Sequence, residues 1–195
     1  MRLNMKIKSI LMASLMAAVG LSACGSNNKE KPATEEPQPT KTIVCYFSAT
    51  GTTADAAKRI AEQTGATLYE ITPEVAYTDE DLDWTNDQSR SSLEMKDPEA
   101  RTAIGGELPD LTQYETVFIG YPNWWNTHPT IINTFIESTN LDGKTIVPFM
   151  TSGGSSIDNS MKQLRETYPS LNIHDGILMN HVSDSELETF LTSLD

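Results

Sequence analysis

Residues 43–53 read Ile43-Val44-Cys45-Tyr46-Phe47-Ser48-Ala49-Thr50-Gly51-Thr52-Thr53. Two signals stand back to back in that stretch. Ile43 to Phe47 is an unbroken apolar run, as expected of a strand covered on both faces. From Thr53 to Thr64, Ala56, Ala57, Ile60 and Ala61 share one helical face, and Gly65 stands at the stop. The turn between them is rich in hydroxyls and has no Lys or Arg. A helix start offers unpaired N–H groups and partial positive charge, which suits a phosphate. Gly51 admits a backbone conformation that other residues resist. The same pattern also serves as a plain helix cap, and the turn by itself is open to either reading. It is neither a Walker loop nor a Gly-x-Gly-x-x-Gly turn.

Working outward, strand-like and helix-like runs alternate. Leu68–Ile71, Val117–Ile119, Ile146–Met150 and Ile177–Met179 are expected strands two to five. Pro129 suits a first helical position, with Ile132, Phe135 and Ile136 on one stripe. Ile157, Met161, Leu164 and Tyr168 mark a further helix. Ser183 with Glu186 forms a capping box ahead of Leu187, Phe190, Leu191 and Leu194. Pro148 donates no ladder hydrogen bond and counts against a central strand, but its flanks and spacing keep the assignment. The alternation predicts an α/β fold, a parallel sheet with helices on both faces. The stretch 73–115 is expected to hold one helix near Glu80–Met95 and irregular chain after Pro98. Its Asp79, Glu80, Asp81 and Asp83 read as a solvated helix start, not a metal site.

The 195 residues suffice for one domain plus short extras. Formal charge is −13, which argues against nucleic acid as a partner. That charge is uneven. Arg2, Lys6 and Lys8 precede the apolar run Ile10–Leu21, which is too short to span a bilayer and reads as a secretory signal over residues 1–23. Leu21-Ser22-Ala23-Cys24-Gly25 resembles a bacterial lipobox, which implies cleavage before Cys24 and lipidation of its thiol. Several acyl chains on one cysteine anchor firmly. Residues 24–41 contain three prolines and no apolar residue larger than one alanine beyond Cys24, and read as a flexible tether. The expected domain, 42–195, carries 8 basic and 24 acidic side chains, a formal −16. With two cysteines, Cys24 and Cys45, a disulfide framework is excluded, and Cys45 reads as a small core residue.

Two later segments join the first turn at the carboxyl ends of expected strands, where open α/β sheets bind ligands. They are Gly120-Tyr121-Pro122-Asn123-Trp124-Trp125 and Pro148-Phe149-Met150-Thr151-Ser152-Gly153-Gly154-Ser155. Ser48-Ala49-Thr50-Gly51-Thr52-Thr53 resembles the flavodoxin phosphate loop, with Thr52 where that loop usually has Asn. Together the three segments resemble the flavodoxin-like proteins found among bacterial secreted lipoproteins. The resemblance implies a flavodoxin-like three-layer α/β/α sandwich, a five-stranded parallel sheet of order 2-1-3-4-5, and non-covalent FMN. It implies a phosphate site at Ser48, Thr50, Gly51, Thr52 and Thr53. It places ring contacts at Pro122, Asn123, Trp124 and Trp125, with a third wall at Thr151, Ser152, Gly153, Gly154 and Ser155.

Either indole could stack on the flavin, and tandem Trp also serves core packing or an interface. In flavodoxins a backbone peptide after the third strand turns toward the reduced flavin, and Asn126 tolerates the left-handed backbone this needs. His128 reads as a cap for the helix begun by Pro129, or as a positive charge beside the flavin. Ser155 reads as a cap for the next helix, with Asp158 three residues on. The expected protein is therefore a lipid-anchored, extracytoplasmic FMN carrier or oxidoreductase, its acidic surface suited to a basic redox partner. The other reading is a non-redox binding module that uses the same loops for another phosphorylated ligand.

Overall fold

The computed structural model describes residues 41–194. The expected signal peptide, the Cys24 lipobox and the tether up to residue 40 lie outside the described residues. Lys41 already belongs to the fold: its carbonyl accepts from the backbone N–H groups of Glu115 and Thr116.

The apolar run at the start of the domain forms β1 (Thr42–Tyr46), with β2 (Thr67–Glu70) on one side and β3 (Thr116–Pro122) on the other. β4 (Thr145–Thr151) pairs with β3 over its full length, and every pairing is parallel. The strand order is 2-1-3-4-5, as expected. Parallel pairing requires a crossover between neighbours, and helices supply it. They are α1 (Thr52–Thr64), α2 (Arg90–Lys96), α3 (Thr130–Ser138) and α4 (Asp158–Thr167), while α5 (Asp184–Thr192) follows the last described strand.

Strand side chains alternate between faces, so β1 serves two cores. Ile43, Cys45 and Phe47 pack with Ile131, Ile132 and Phe135 of α3 and Leu164 of α4. Val44 and Tyr46 pack with Ala56, Ala57 and Ile60 of α1 and Leu187 of α5. The three-layer α/β/α sandwich follows directly. Gly65 ends α1 in a left-handed cap, and Ser183 with Glu186 forms the expected capping box.

The fifth strand is not one strand. Its place is shared by β5 (Asn172–Ile173) and β6 (Ile177–Leu178), both paired with β4. β5 meets Thr145 and Ile146, whereas β6 meets Phe149 and Met150. Pro148 falls in the interval between them, and its carbonyl faces Gly176 so closely that a Cβ there would lie 2.7 Å away. The donor that proline lacks is therefore at a break in the ladder, which reconciles it with an interior strand.

The helix expected near Glu80–Met95 is mostly absent. Asp81 and Thr78 bond each other's backbone N–H groups, at 3.0 and 3.2 Å. Asp83 accepts from Thr85 and Asn86 from Gln88, both at 3.0 Å. Short polar side chains that capture nearby N–H groups hold this segment in turns. The helix begins only after Ser89, whose hydroxyl accepts from the Ser92 N–H. The acidic cluster is accordingly a run of turns and not a helix start. Pro129 lies one position earlier than expected, at the N-cap of α3.

Candidate functional site

The hydroxyl-rich turn follows β1 and is closed by Ser48. Its Oγ accepts from the backbone N–H groups of Gly51 and Ala54, each at 3.1 Å. Gly51 caps α1 at φ 92°, a conformation glycine adopts without a Cβ penalty. The N–H groups of Thr52 and Thr53 lie in the first turn, where helix geometry gives them no intrahelical partner. The hydroxyls divide in role. Thr50 and Thr52 are exposed at the tip. Thr53 is buried, and its hydroxyl shares a 2.8 Å hydrogen bond with that of Thr151 on β4.

The second segment leaves β3 at Pro122, which is in register with Thr151. The Asn123 N–H donates to the Thr151 carbonyl at 2.7 Å, joining this segment to the third. Trp124 and Thr127 then exchange N–H···O bonds of 2.9 Å in each direction. Between them Trp125 has φ 46° and Asn126 φ 65°. That is a two-residue turn with a left-handed centre. Asn tolerates the conformation, but in Trp it carries strain of order 1–3 kcal/mol.

The two indoles are in different settings. Trp124 meets Phe47 and Tyr77 edge-on, with centroids 5.6 and 5.2 Å apart. Trp125 is 44% exposed. Both border a cleft of about 390 Å³, together with Asn123, Leu82, Trp84 and Ser91. The Asn123 Oδ1 is buried and has no hydrogen-bond partner. A buried acceptor without a donor is costly and calls for a ligand or water to satisfy it.

The third segment curls around Ser152. Its Oγ accepts from the N–H groups of Gly154 (3.1 Å) and Ser155 (2.8 Å), and its own N–H donates to Asn180 Oδ1 at 2.6 Å. A Cβ placed on Gly153 or Gly154 would meet nothing within 4 Å, and neither residue is left-handed. The fold itself does not need glycine at either position. Ser155 does not cap α4: Ile157 holds the N-cap position without a side-chain cap bond.

His128 neither caps α3 nor offers a positive charge. It is buried, with Nε2 2.8 Å from Asn133 Oδ1, and Nδ1 within 3.2 Å of Thr127 Oγ1 and 3.3 Å of Ser160 Oγ. Burial pushes its pKa down to about 4, so the ring is neutral at pH 7. The Cys45 thiol is also buried, and burial raises its pKa. That removes it as a nucleophile. No group of metal-ligating side chains occurs among the described residues.

The three predicted segments thus converge on one edge of the sheet, stitched by the Thr53–Thr151 and Asn123–Thr151 bonds. Sequence reasoning missed Leu82, Trp84, Ser91 and Asn180. Leu82 and Trp84, the latter 75% exposed, standing in the otherwise polar run 79–88 were the available signal.

A family model described as flavodoxin matches residues 41–194. The structure is similar to that of a candidate flavoprotein from Bacteroides eggerthii at 51% identity, covering 79% of this chain and 97% of that one, with a TM-score of 0.77. A second candidate flavoprotein, from Bacteroides uniformis, is 50% identical, with 80% and 99% of the two chains covered and a TM-score of 0.76. A flavoprotein from Lactobacillus acidophilus in complex with FMN shares 20% identity over 78% of this chain and 99% of its own, at a TM-score of 0.62. That is a likeness of fold. No curated protein matches the chain.

Proposed function

Because the chain belongs to the flavodoxin family, we propose that it binds FMN without a covalent bond and passes electrons through it. The observation that carries the reading is Asn123, which lines a cleft walled by Trp124 and Trp125 and whose buried Oδ1 has no hydrogen-bond partner. A flavin ring is flat, apolar on its faces and carries one N–H donor among the acceptors of its pyrimidine edge, so it suits both the indole walls and an acceptor in want of a donor. Trp125, the more exposed indole, is the one placed to stack. The free N–H groups at the start of α1, with the Thr50 and Thr52 hydroxyls, suit the phosphate. The space left at Gly153 and Gly154 lets backbone approach the ring edge. FMN, once bound, supplies the redox chemistry, and the protein supplies binding, orientation and electrostatics.

The same proposal takes Cys24 as a lipid anchor and places the domain outside the cytoplasm on a bacterial membrane, facing a basic redox partner. The lipobox and the −16 of the domain support this. Radiolabelled palmitate is expected in the wild type and not in Cys24→Ala.

Titration of the soluble domain with FMN tests the central reading. It should turn yellow and quench the flavin. Thr50→Ala combined with Thr52→Ala should weaken FMN far more than riboflavin. A domain that ignores FMN but binds another phosphorylated ligand would support the non-redox alternative.

A further inference from the structure

We propose that α4 braces the Trp124–Thr127 turn, and that Asn159 is the positioning residue that holds Trp125 in its ring-stacking pose. The proposal rests on the FMN reading above. Three side chains of α4 grip consecutive residues after Trp125. The Asn159 Nδ2 donates to the Asn126 carbonyl at 2.8 Å. The Thr127 hydroxyl donates to Gln163 Oε1 at 2.6 Å. Ser160 Oγ lies 3.3 Å from His128 Nδ1. Asn159 and Gln163 are four residues apart, so one face of the helix presents both.

The turn needs such a brace. Its reciprocal Trp124–Thr127 bonds fix the two ends but leave the central peptides without a partner. The centre holds two residues at positive φ, and one of them is Trp. Such conformations persist only where the surroundings over-determine them. Asn159 anchors the Asn126 carbonyl and thereby sets the direction of the peptide that follows the two left-handed residues. Trp125 is held out at the cleft with 44% of its surface exposed, a poor state for an indole unless something flat is to cover it. The brace also starts from the third wall, because α4 follows the 151–155 segment directly. One helix therefore ties the Trp124–Thr127 turn to the 151–155 segment.

Asn159→Asp tests the brace. It keeps the shape, removes the donor and sets an oxygen against the Asn126 carbonyl. An acid in the first turn favours the helix, so folding is maintained. The expected result is a Kd about tenfold higher for FMN and for riboflavin alike, since the ring end is affected. Emission of the bound flavin should rise as stacking loosens, with the melting temperature within ~2 °C of wild type. Adding Asn126→Gly, which removes the left-handed penalty at that residue, should recover part of the loss. Unchanged Kd and emission in a variant whose wild type binds FMN would overturn the brace. Should the wild type bind no flavin, the FMN reading fails by itself. The brace is then read in the unliganded protein, where the amide resonances of Trp125 and Asn126 must shift in Asn159→Asp, and their constancy would overturn it. If Asn159→Asp does not fold, Asn159→Ala is read by the same measures.

Discussion

Gly120 and Gly154 show how differently one residue type is used. A Cβ on Gly120 would lie 2.0 Å from the Phe149 ring, whereas one on Gly154 would touch nothing. Gly120 is glycine because the core is full, and Gly154 can be glycine for the sake of something outside the chain. Gly120→Ala is expected to lower stability by about 3 kcal/mol, from overpacking against a buried ring. Gly154→Ala should leave the denaturation midpoint unchanged and weaken FMN severalfold. Paired urea melts and flavin titrations separate the two cases. Sequence reading singled out Gly153 and Gly154 because they sit in a loop beside hydroxyls. It could not see Gly120's role, which depends on a side chain one strand away. The same blindness applies to the phosphate turn, where Ser48, Thr50, Thr52 and Thr53 look alike. Ser48 closes the turn and Thr53 bonds Thr151, which leaves Thr50 and Thr52 at the exposed tip.

Among the elements, the buried strands were the most legible. Ile43–Phe47 and Ile146–Met150 are apolar on both faces, and only a sheet covered on both sides asks for that. The segment 73–105 was the least legible, since its Asp, Asn and Thr side chains suit a first helical turn as well as the isolated turns they form. That ambiguity hid Leu82 and Trp84, and with them one side of the cleft. α3 supplies a test of the polar layer under the Trp turn. His128, just ahead of α3, has its pKa pushed down to about 4 by burial. The unfolded chain, near the ordinary 6.5, therefore takes up a proton first as pH falls. Its contribution to stability is complete above about pH 6.5 and is lost on acidification toward pH 4. Between pH 7 and pH 4.5 the loss should be on the order of 2 to 3 kcal/mol in urea melts. His128→Gln should flatten that slope, whatever its own stability at pH 7. A slope equal to wild type would show that the ring is not buried neutral.

For the molecule as a whole, an anionic ligand must approach a strongly acidic domain. Local N–H and hydroxyl groups can hold the phosphate, but the −16 of residues 42–195 opposes its arrival. Salt screens that opposition. FMN affinity should therefore rise with ionic strength while riboflavin affinity stays nearly constant, in titrations at low and physiological salt. The buried Thr53–Thr151 hydrogen bond bears on the same two ligands. It fastens the start of α1 to the end of β4, so the phosphate end and the ring end of the site share a latch. Any free energy passed through that latch must be reciprocal. The factor by which inorganic phosphate tightens riboflavin binding must equal the factor by which riboflavin tightens phosphate. Thr53→Val with Thr151→Val should bring that factor to one, turning a cooperative pair of ligands into two independent ones.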